Sequence, residues 1–254
     1  MTAPVYTTLI SVAQLQALHA SGAPVLVFDC SFDLMNPAAA DALFAQTRIA
    51  GAVQAHLDRN LSTHDSALAV NAGRHPLPQR EAVAAWLGQI GLNNNMQAVV
   101  YDRNGANYCG RLWWMLKWLG HEAVAVLDGG LQAWQAAGGA LDSGPAPAAA
   151  TPTTFEVRPA LVTLSTTADI AAQLGSPGQT LIDARGAPRY RGEVEPLDPV
   201  AGHIPDALNR PFTQNFQTDG RFKPAAELRA EFEALLAGRD PASVTHHCGS
   251  GVSA

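Results

Sequence analysis

The sequence predicts an α/β protein of two similar domains, each a parallel sheet flanked by helices. Short β-rich runs alternate with amphipathic stretches in both halves of the 254-residue chain, which is typical of a parallel sheet covered by helices. The same order of motifs occurs twice. Residues 138–152 between the copies are rich in Pro, Gly and Ala and have no strand or helix periodicity, as in an exposed linker. We therefore expect domains at 1–137 and 153–254.

Three pairs of segments match in the same order along the two halves. The pairs are Val25–Asp29 with Thr180–Asp183, Arg48–Val53 with His203–Leu208, and Ala98–Asp102 with Val244–Cys248. The last pair aligns Asp102 with Cys248. Because a carboxylate cannot act as a soft sulfur nucleophile, we expect the first domain to be catalytically silent and the second to carry the chemistry.

Amphipathic helices are predicted between the strands, at Val12–Ala20, Glu81–Ile90, Arg111–Leu119 and Ala225–Leu236. Neither first strand is followed by a glycine-rich dinucleotide fingerprint, since Cys30 and Ala184 begin the segments that follow. A Rossmann-type NAD site is therefore not expected, and the sequence predicts no cofactor.

Composition narrows the class of protein further. Hydrophobic residues make up 47% of the chain and charged residues 15%, and the net charge is −6, so a well-buried globular protein without a nucleic-acid or membrane footprint is expected. No signal peptide or long apolar run is recognisable. Three widely spaced cysteines argue against a disulfide framework. We expect a cytoplasmic protein with reduced thiols.

The segment after the last predicted strand presents a single cysteine. Val244, Thr245 and His246 read as a short buried strand, and Gly249 and Gly251 follow Cys248. Glycines let the backbone curl so that successive N–H groups point inward, which creates an anion site. Such a site favours the thiolate, so we expect a lowered pKa for Cys248.

Other uses of this cysteine fit less well. Tyrosine phosphatases and arsenate reductases clamp their anion with an arginine at the position that Ala254 occupies here. A metal site formed by His246, His247 and Cys248 is disfavoured because adjacent strand residues point to opposite faces. The remaining alternative is a buried, inert cysteine, against which the two flanking glycines argue.

These motifs resemble the two-domain rhodanese-type sulfurtransferases. The resemblance is carried by Asp-x-Arg at 183–185, Gly-His-Ile-Pro-x-Ala at 202–207 and Cys-Gly-Ser-Gly-Val-Ser-Ala at 248–254. Two first-half segments, 111–121 and 127–134, are also similar to that family. The resemblance implies two tandem rhodanese-like domains, a persulfide on Cys248, and transfer of a sulfane sulfur from a small-molecule donor to cyanide or a thiol. A thioredoxin-like reductant is a candidate acceptor.

The resemblance also bears on the donor and the site residues. Members with a neutral Cys-Gly-Ser-Gly loop use 3-mercaptopyruvate, whereas members that prefer thiosulfate carry two cations there. It implies that backbone groups of Gly249, Gly251, Val252 and Ser253 bind substrate. It further implies a hydroxyl relay from Ser250 through His75 to Asp58. From the residues alone, a second interpretation has equal weight with this relay, in which His75 is a surface loop residue and Asp58 a turn residue or helix cap. A thiosulfate sulfurtransferase and a sulfane-sulfur carrier without turnover remain alternatives.

Two features depart from the family pattern. Arg189 matches one arginine that binds the donor carboxylate, but the stretch expected to hold a second, 193–199, has none. Arg191 is a candidate replacement that reads more readily as a solvated charge, and Arg185 reads as a structural residue paired with a local carboxylate. The second departure is length, because the first half continues past Asp102 through a helix and a strand whereas only residues 249–254 follow Cys248. We therefore expect the second domain to be incomplete at its C-terminus.

Overall fold

The computed structural model describes residues 4–146 and 150–254. The chain divides into two compact units, Met1–Thr163 and Leu164–Ala254. This division lies further along the chain than the predicted boundary because residues 150–163 bond to the first unit. The N–H of Thr153 donates to the Gly88 carbonyl at 2.8 Å, and the N–H of Arg158 donates to the Leu119 carbonyl at 2.9 Å. Residues 147–149 of the predicted linker lie outside the described residues.

The first unit is built on a five-stranded parallel sheet. Its strands are β1 (Leu9–Ile10), β2 (Val25–Asp29), β4 (Val53–Gln54), β5 (Gln97–Tyr101) and β6 (Val124–Leu127). Their order in the sheet is β1-β6-β5-β2-β4, and every neighbouring pair is parallel. The helices are α1 (Val12–Ala20), α2 (Ala39–Gln46), α3 (Arg80–Gln89), α4 (Cys109–Trp118) and α5 (Gly130–Ala136).

Apolar side chains of the central strands form the core of this unit. Val27, Val99, Tyr101 and Ala125 pack in one buried cluster, and β5 is buried along its whole length, as expected for a parallel strand covered on both faces. A separate antiparallel pair joins β3 (Arg48–Ile49) to β7 (Leu141–Asp142). β7 falls inside the segment 138–152, which the sequence predicts to be an irregular linker.

The second unit has a smaller sheet of three parallel strands. They are β8 (Thr180–Asp183), β9 (Leu208–Asn209) and β10 (Val244–His247), in the order β10-β8-β9. The helices are α6 (Thr167–Gln173), α7 (Ala187–Tyr190) and α8 (Ala225–Leu236). A strand does precede Cys248, but the prediction that this strand is buried is wrong. β10 forms as predicted, but among the described strands it pairs with β8 alone and is partly exposed, whereas the central strand β8 is fully buried.

Strand register places matching segments of the two units at equivalent positions. Asp29 at the end of β2 pairs with Tyr101 of β5, and Asp183 at the end of β8 pairs with His247 of β10. The next residue after each partner is Asp102 in the first unit and Cys248 in the second. The two residues therefore hold equivalent positions at the carboxyl edges of their sheets, and the predicted α/β fold with parallel sheets flanked by helices is confirmed.

Among the residues described, none of the helices combines the length and the apolar character needed to cross a lipid bilayer.

Candidate active site

The loop after β10 wraps around the sulfur of Cys248. Burial of this sulfur raises its pKa, but hydrogen bonds from the surrounding loop outweigh that effect and leave the pKa below the ordinary thiol value. The donors are the backbone N–H groups of Ser250, Ser253 and Val252 together with the Ser253 hydroxyl. Hydrogen bonds to an anion favour its charged form. The loop therefore favours the thiolate form of Cys248.

Local sequence explains why the loop takes this shape. Gly251 has a φ of 67°, a left-handed conformation that glycine adopts without steric cost. The next residue, Val252, is buried and anchors the loop. Residues 249–254 form no helix, so the hydrogen bonds of the loop itself lower the thiol pKa. Of the residues predicted to bind substrate, Gly249, Gly251, Val252 and Ser253 all lie in this loop.

The equivalent loop of the first unit holds a carboxylate instead of a sulfur. Both oxygens of Asp102 accept backbone N–H groups, with Oδ1 at 2.8 Å from Asn104 N and 2.9 Å from Ala106 N. Oδ2 lies 2.9 Å from Tyr108 N and 3.0 Å from Cys109 N. Gly105 has a φ of 68°, nearly that of Gly251 at the matching position. Both loops thus use the same backbone shape to hold an anion.

The other two cysteines lie in the core of the first unit. Burial, followed by the charges of Asp102 and Asp29, raises the pKa of Cys30 well above its ordinary value. Burial and Asp102 do the same to Cys109. Neither thiol is prepared for nucleophilic attack, in agreement with the interpretation of both as core residues.

His75 and Asp58, predicted to act together, are neighbours within the first unit. His75 Nε2 lies 3.6 Å from Asp58 Oδ1. His75 is buried, so the alternative interpretation as a surface loop residue is wrong. Burial and the nearby Arg111 guanidinium lower the pKa of His75 to about 4, which leaves the imidazole neutral at physiological pH. Ser250, the third residue of the predicted relay, belongs to the second unit.

Arg185 has a structural role in the second unit. Its Nη2 donates to Asp183 Oδ2 at 2.7 Å and to the Gly202 carbonyl at 2.6 Å. Its Nη1 lies 3.3 Å from Glu195 Oε2. These contacts tie the end of β8 to the loop that follows α7. The interpretation of Arg185 as paired with a local carboxylate is confirmed.

Arg189, the predicted donor-binding residue, is already paired with two carboxylates of its own chain. Its Nη2 lies 2.7 Å from Glu195 Oε1 and 2.9 Å from Asp198 Oδ2. Arg189, with the N–H groups of Asp198 and Leu197, outweighs the effect of burial and lowers the pKa of Glu195 to about 2. Sequence analysis missed both carboxylates. The signal available was the run 195–199, in which two acids alternate with prolines shortly after Arg189.

The neighbouring Arg191 behaves as a solvated charge. It is exposed, and its Nε donates to Glu193 Oε1 at 2.6 Å. Across residues 4–146 and 150–254, no three His, Cys, Asp or Glu side chains are grouped closely enough to hold a metal ion.

Comparisons with known proteins show the family of this chain. The family model described as "Rhodanese-like domain" matches residues 11–137. A probable 3-mercaptopyruvate sulfurtransferase of Pseudomonas aeruginosa is 44% identical over 243 residues, which span 95% of this chain and 84% of that protein. A putative thiosulfate sulfurtransferase, SseB, of Mycobacterium tuberculosis is 37% identical over 259 residues, 97% of this chain and 84% of that protein.

A solved structure shows the same architecture. The 3-mercaptopyruvate sulfurtransferase from Leishmania major superposes with a TM-score of 0.80 at 27% identity, covering 97% of this chain and 67% of that one. The matched domain model and these relatives point to one class of enzyme. The chain belongs to the rhodanese family, and it is a sulfurtransferase.

Proposed function

We propose that this enzyme takes a sulfane sulfur from 3-mercaptopyruvate, carries it as a persulfide on Cys248, and passes it to cyanide or a thiol. The observation that carries the proposal is the loop that lowers the pKa of Cys248 with three backbone N–H groups and a hydroxyl. Relatives in Pseudomonas aeruginosa and Leishmania major named as 3-mercaptopyruvate sulfurtransferases support the choice of donor.

In the first half-reaction, the Cys248 thiolate attacks the sulfur of 3-mercaptopyruvate. The S–S bond forms as the C–S bond breaks, and the electron pair of that bond leaves with the carbon fragment as the enolate of pyruvate. The enolate takes up a proton, and the persulfide loses its S–H proton to become an anion. The loop N–H groups stabilise the charged sulfur before and after this step, so no metal is required.

In the second half-reaction, an acceptor attacks the outer sulfur of the persulfide. Cyanide is converted to thiocyanate, or a thiol acceptor is converted to its persulfide. The electron pair of the broken S–S bond stays on Cys248, which becomes a thiolate again. The cycle is covalent catalysis with two separate substrates. A thioredoxin-like dithiol fits the acceptor role, because its second thiol can release the transferred sulfur as sulfide while the dithiol is oxidised to a disulfide.

We infer that the Ser250 hydroxyl, two residues after Cys248, delivers the proton to the leaving enolate. Replacing Ser250 with Ala removes this hydroxyl but keeps the backbone N–H that bonds to the Cys248 sulfur. The substitution should lower kcat for 3-mercaptopyruvate more than for thiosulfate, whose leaving sulfite needs no such proton.

The neutral composition of the loop supports 3-mercaptopyruvate over thiosulfate. Gly249 and Ser250 provide no cation for a dianionic donor, although a relative of 37% identity is named as a putative thiosulfate sulfurtransferase. Measured kcat/KM for the two donors decides between them. A clear preference for thiosulfate would contradict the choice of donor while leaving the persulfide intact.

Intact-protein mass spectrometry tests the proposal directly. Incubation with 3-mercaptopyruvate should add the mass of one sulfur atom, peptide mapping should place it on Cys248, and cyanide should remove it as thiocyanate. A Cys248→Ser variant should gain nothing, whereas Cys30→Ser, a buried thiol in the first unit, should be loaded as in wild type. An unmodified Cys248 with both donors would exclude the mechanism. A persulfide that forms but is not discharged would indicate a sulfur carrier instead.

A further inference from the structure

We propose that His247 is a positioning residue that holds the first peptide of the Cys248 loop, and that it does so only while its ring is neutral. The inference rests on the proposed function only in taking Cys248 as the nucleophile. It goes beyond that function by assigning a role to the histidine before the cysteine and by linking the reactivity of the thiol to a second titrating group.

His247 is fixed at the end of β10, one residue before the nucleophile. Its Cα pairs in register with that of Asp183 at the end of β8, and its carbonyl accepts the N–H of Ala184 at 2.9 Å. Successive side chains of a strand alternate between the faces, so residues in register project from the same face of the sheet. The imidazole therefore lies on the side of the buried Asp183 carboxylate. Burial lowers the pKa of His247, and the charge of Asp183 opposes that effect.

The hydrogen bonds of the ring define which nitrogen carries the proton. The imidazole bonds to the backbone of Cys248, and this bond acts to raise the pKa of His247. A hydrogen bond that favours the protonated ring is one in which the ring donates, so the acceptor is the Cys248 carbonyl. In the part of the chain that the structure describes, Nε2 is buried and has no hydrogen-bond partner. Nδ1 is therefore the donor, and the neutral ring is the Nδ1–H tautomer.

The bond to Cys248 affects the loop because a peptide group is planar. The Cys248 carbonyl and the N–H of Gly249 belong to one peptide unit, so a hydrogen bond that fixes the carbonyl also fixes the plane in which the loop begins. Further along, three backbone N–H groups of the loop bond to the sulfur. Their directions depend on how the chain leaves β10. His247 thus supports the thiolate through the backbone.

The first unit carries a tyrosine at the matching position. Tyr101 pairs in register with Asp29 and donates to its Oδ2 at 2.9 Å. The same hydroxyl oxygen accepts the N–H of Ile49 at 3.0 Å. Burial, followed by the charge of Asp29, raises the pKa of Tyr101, so this side chain stays neutral at physiological pH. The first unit therefore has a fully bonded, neutral group where the second has a titratable ring with one unbonded nitrogen.

Protonation of His247 places an N–H at the buried Nε2. Both oxygens of Asp183 already accept N–H groups of Arg185, and the charges of Arg185 and His203 lower the pKa of His247. The remaining titratable neighbour is His246, one residue earlier on β10. A buried N–H without an acceptor is costly, so the ring must turn toward water to bind a second proton. That turn breaks its bond to the loop and raises the pKa of the thiol.

The test is the pH dependence of Cys248 alkylation by iodoacetamide in the full chain, over the range in which circular dichroism shows each variant folded. Below its midpoint, titration of the thiol alone lowers the rate about tenfold per pH unit. Protonation of His247, whose pKa is lowered from 6.5, should add a further fall of roughly 3- to 10-fold below that pH, the effect of one lost hydrogen bond.

Two substitutions of His247 separate its two properties. His247→Asn places an amide donor near the position of Nδ1 but cannot titrate, so it should keep the wild-type midpoint without the additional fall. His247→Phe removes the donor as well, so its midpoint should rise by roughly half a pH unit to one pH unit. His246→Asn, at an exposed position of the same strand, should behave as wild type in both respects.

The assignment would be overturned by a wild-type profile without the additional fall, by a wild-type midpoint in His247→Phe, or by equal behaviour of His247→Phe and His247→Asn. The same changes in His246→Asn would also overturn it. A long-range nitrogen-15 spectrum of the wild-type protein needs no variant and should show His247 as the Nδ1–H tautomer at neutral pH, and the Nε2–H tautomer would contradict the proposal. Neither measurement uses a sulfur donor, so failure of sulfur transfer at Cys248 would be a distinct result.

Discussion

Three cysteines in one chain show how the surroundings of a thiol decide its reactivity. Hydrogen bonds from Ser250, Val252 and Ser253 lower the pKa of Cys248 against the effect of burial. Burial, followed by the charge of Asp102, raises the pKa of Cys30 and of Cys109. The residue type alone carries no information on this difference, which comes from the hydrogen-bond donors and charges around each sulfur.

Alkylation should report this difference. Cys248 should react with iodoacetamide at a midpoint pH below the ordinary thiol pKa, with the rate rising as pH rises through the lowered value, because only the thiolate attacks. Cys30 and Cys109 should remain unmodified in the folded protein and serve as internal controls. Ser253→Ala removes one donor to the sulfur and should raise the midpoint by roughly one unit. A midpoint at the ordinary thiol value in wild type would contradict the role of the loop.

Arg189 and Arg191 offer a matched pair of cations on one short segment. Arg189 is held by Glu195 and Asp198, whereas Arg191 is exposed and pairs only with Glu193. Arg189→Ala should lower kcat/KM for 3-mercaptopyruvate roughly 10- to 100-fold, since a charged hydrogen-bonding group is lost. Arg191→Ala should change it less than about twofold. Equal effects would remove Arg189 from the donor site.

At the scale of secondary-structure elements, the sequence repeat predicted where the candidate site lies. Apolar runs ending in Asp29 and Asp183 predicted the central strands, and the alignment of Asp102 with Cys248 predicted the two equivalent loops that the strand register confirms. Periodicity predicts strands because it reflects which face is buried. It could not show that β10 is an edge strand, since that depends on which strands pair.

Other features lay beyond what the sequence could give. The attachment of residues 150–163 to the first unit combines backbone hydrogen bonds, such as Thr153 to Gly88, with side-chain contacts of Asn94 and Phe155. These contacts join residues that are far apart in the sequence, so no local pattern predicts them. The pairing of Arg189 with Asp198 depends on rotamers and on the course of an irregular loop. Composition reports the presence of both charges but not the distance between them.

The Asp102 loop should be important for the stability of the first unit. Its carboxylate is buried and accepts four backbone N–H groups, and charged hydrogen bonds of this kind are among the stronger ones. Asp102→Asn should lower the free energy of unfolding by about 2–4 kcal/mol, because an amide offers one acceptor and places a donor against N–H groups. Asp65→Asn, at an exposed turn where Oδ1 accepts from Ala67 N, should cost less than about 1 kcal/mol. Urea unfolding of both variants measures the difference.

For the molecule as a whole, buried histidines should make stability depend on pH. Burial lowers the pKa of His75 and of His121 from 6.5 to about 4 in the folded state. Between those values the unfolded chain binds protons that the folded chain does not, so stability should fall as pH decreases from about 6.5 to about 4. Each histidine should account for on the order of 3 kcal/mol of this loss.

Urea titrations of the full chain across this range measure the effect. His121→Asn should reduce the pH dependence of unfolding, whereas substitution of the exposed His64 should leave it unchanged. A free energy of unfolding that is constant between pH 6.5 and pH 4 would contradict the prediction.

The paired loops also give the molecule an internal spectroscopic reference. The amide protons of Asn104 and Ala106 are bonded to a carboxylate that belongs to the chain, so their chemical shifts and hydrogen-exchange rates should stay constant through a catalytic cycle. Those of Ser250 and Val252 are bonded to a sulfur whose charge and size change as it gains and loses an atom. One nitrogen-15 spectrum would therefore contain both a changing signal and its own standard, and turnover could be followed residue by residue without an added probe.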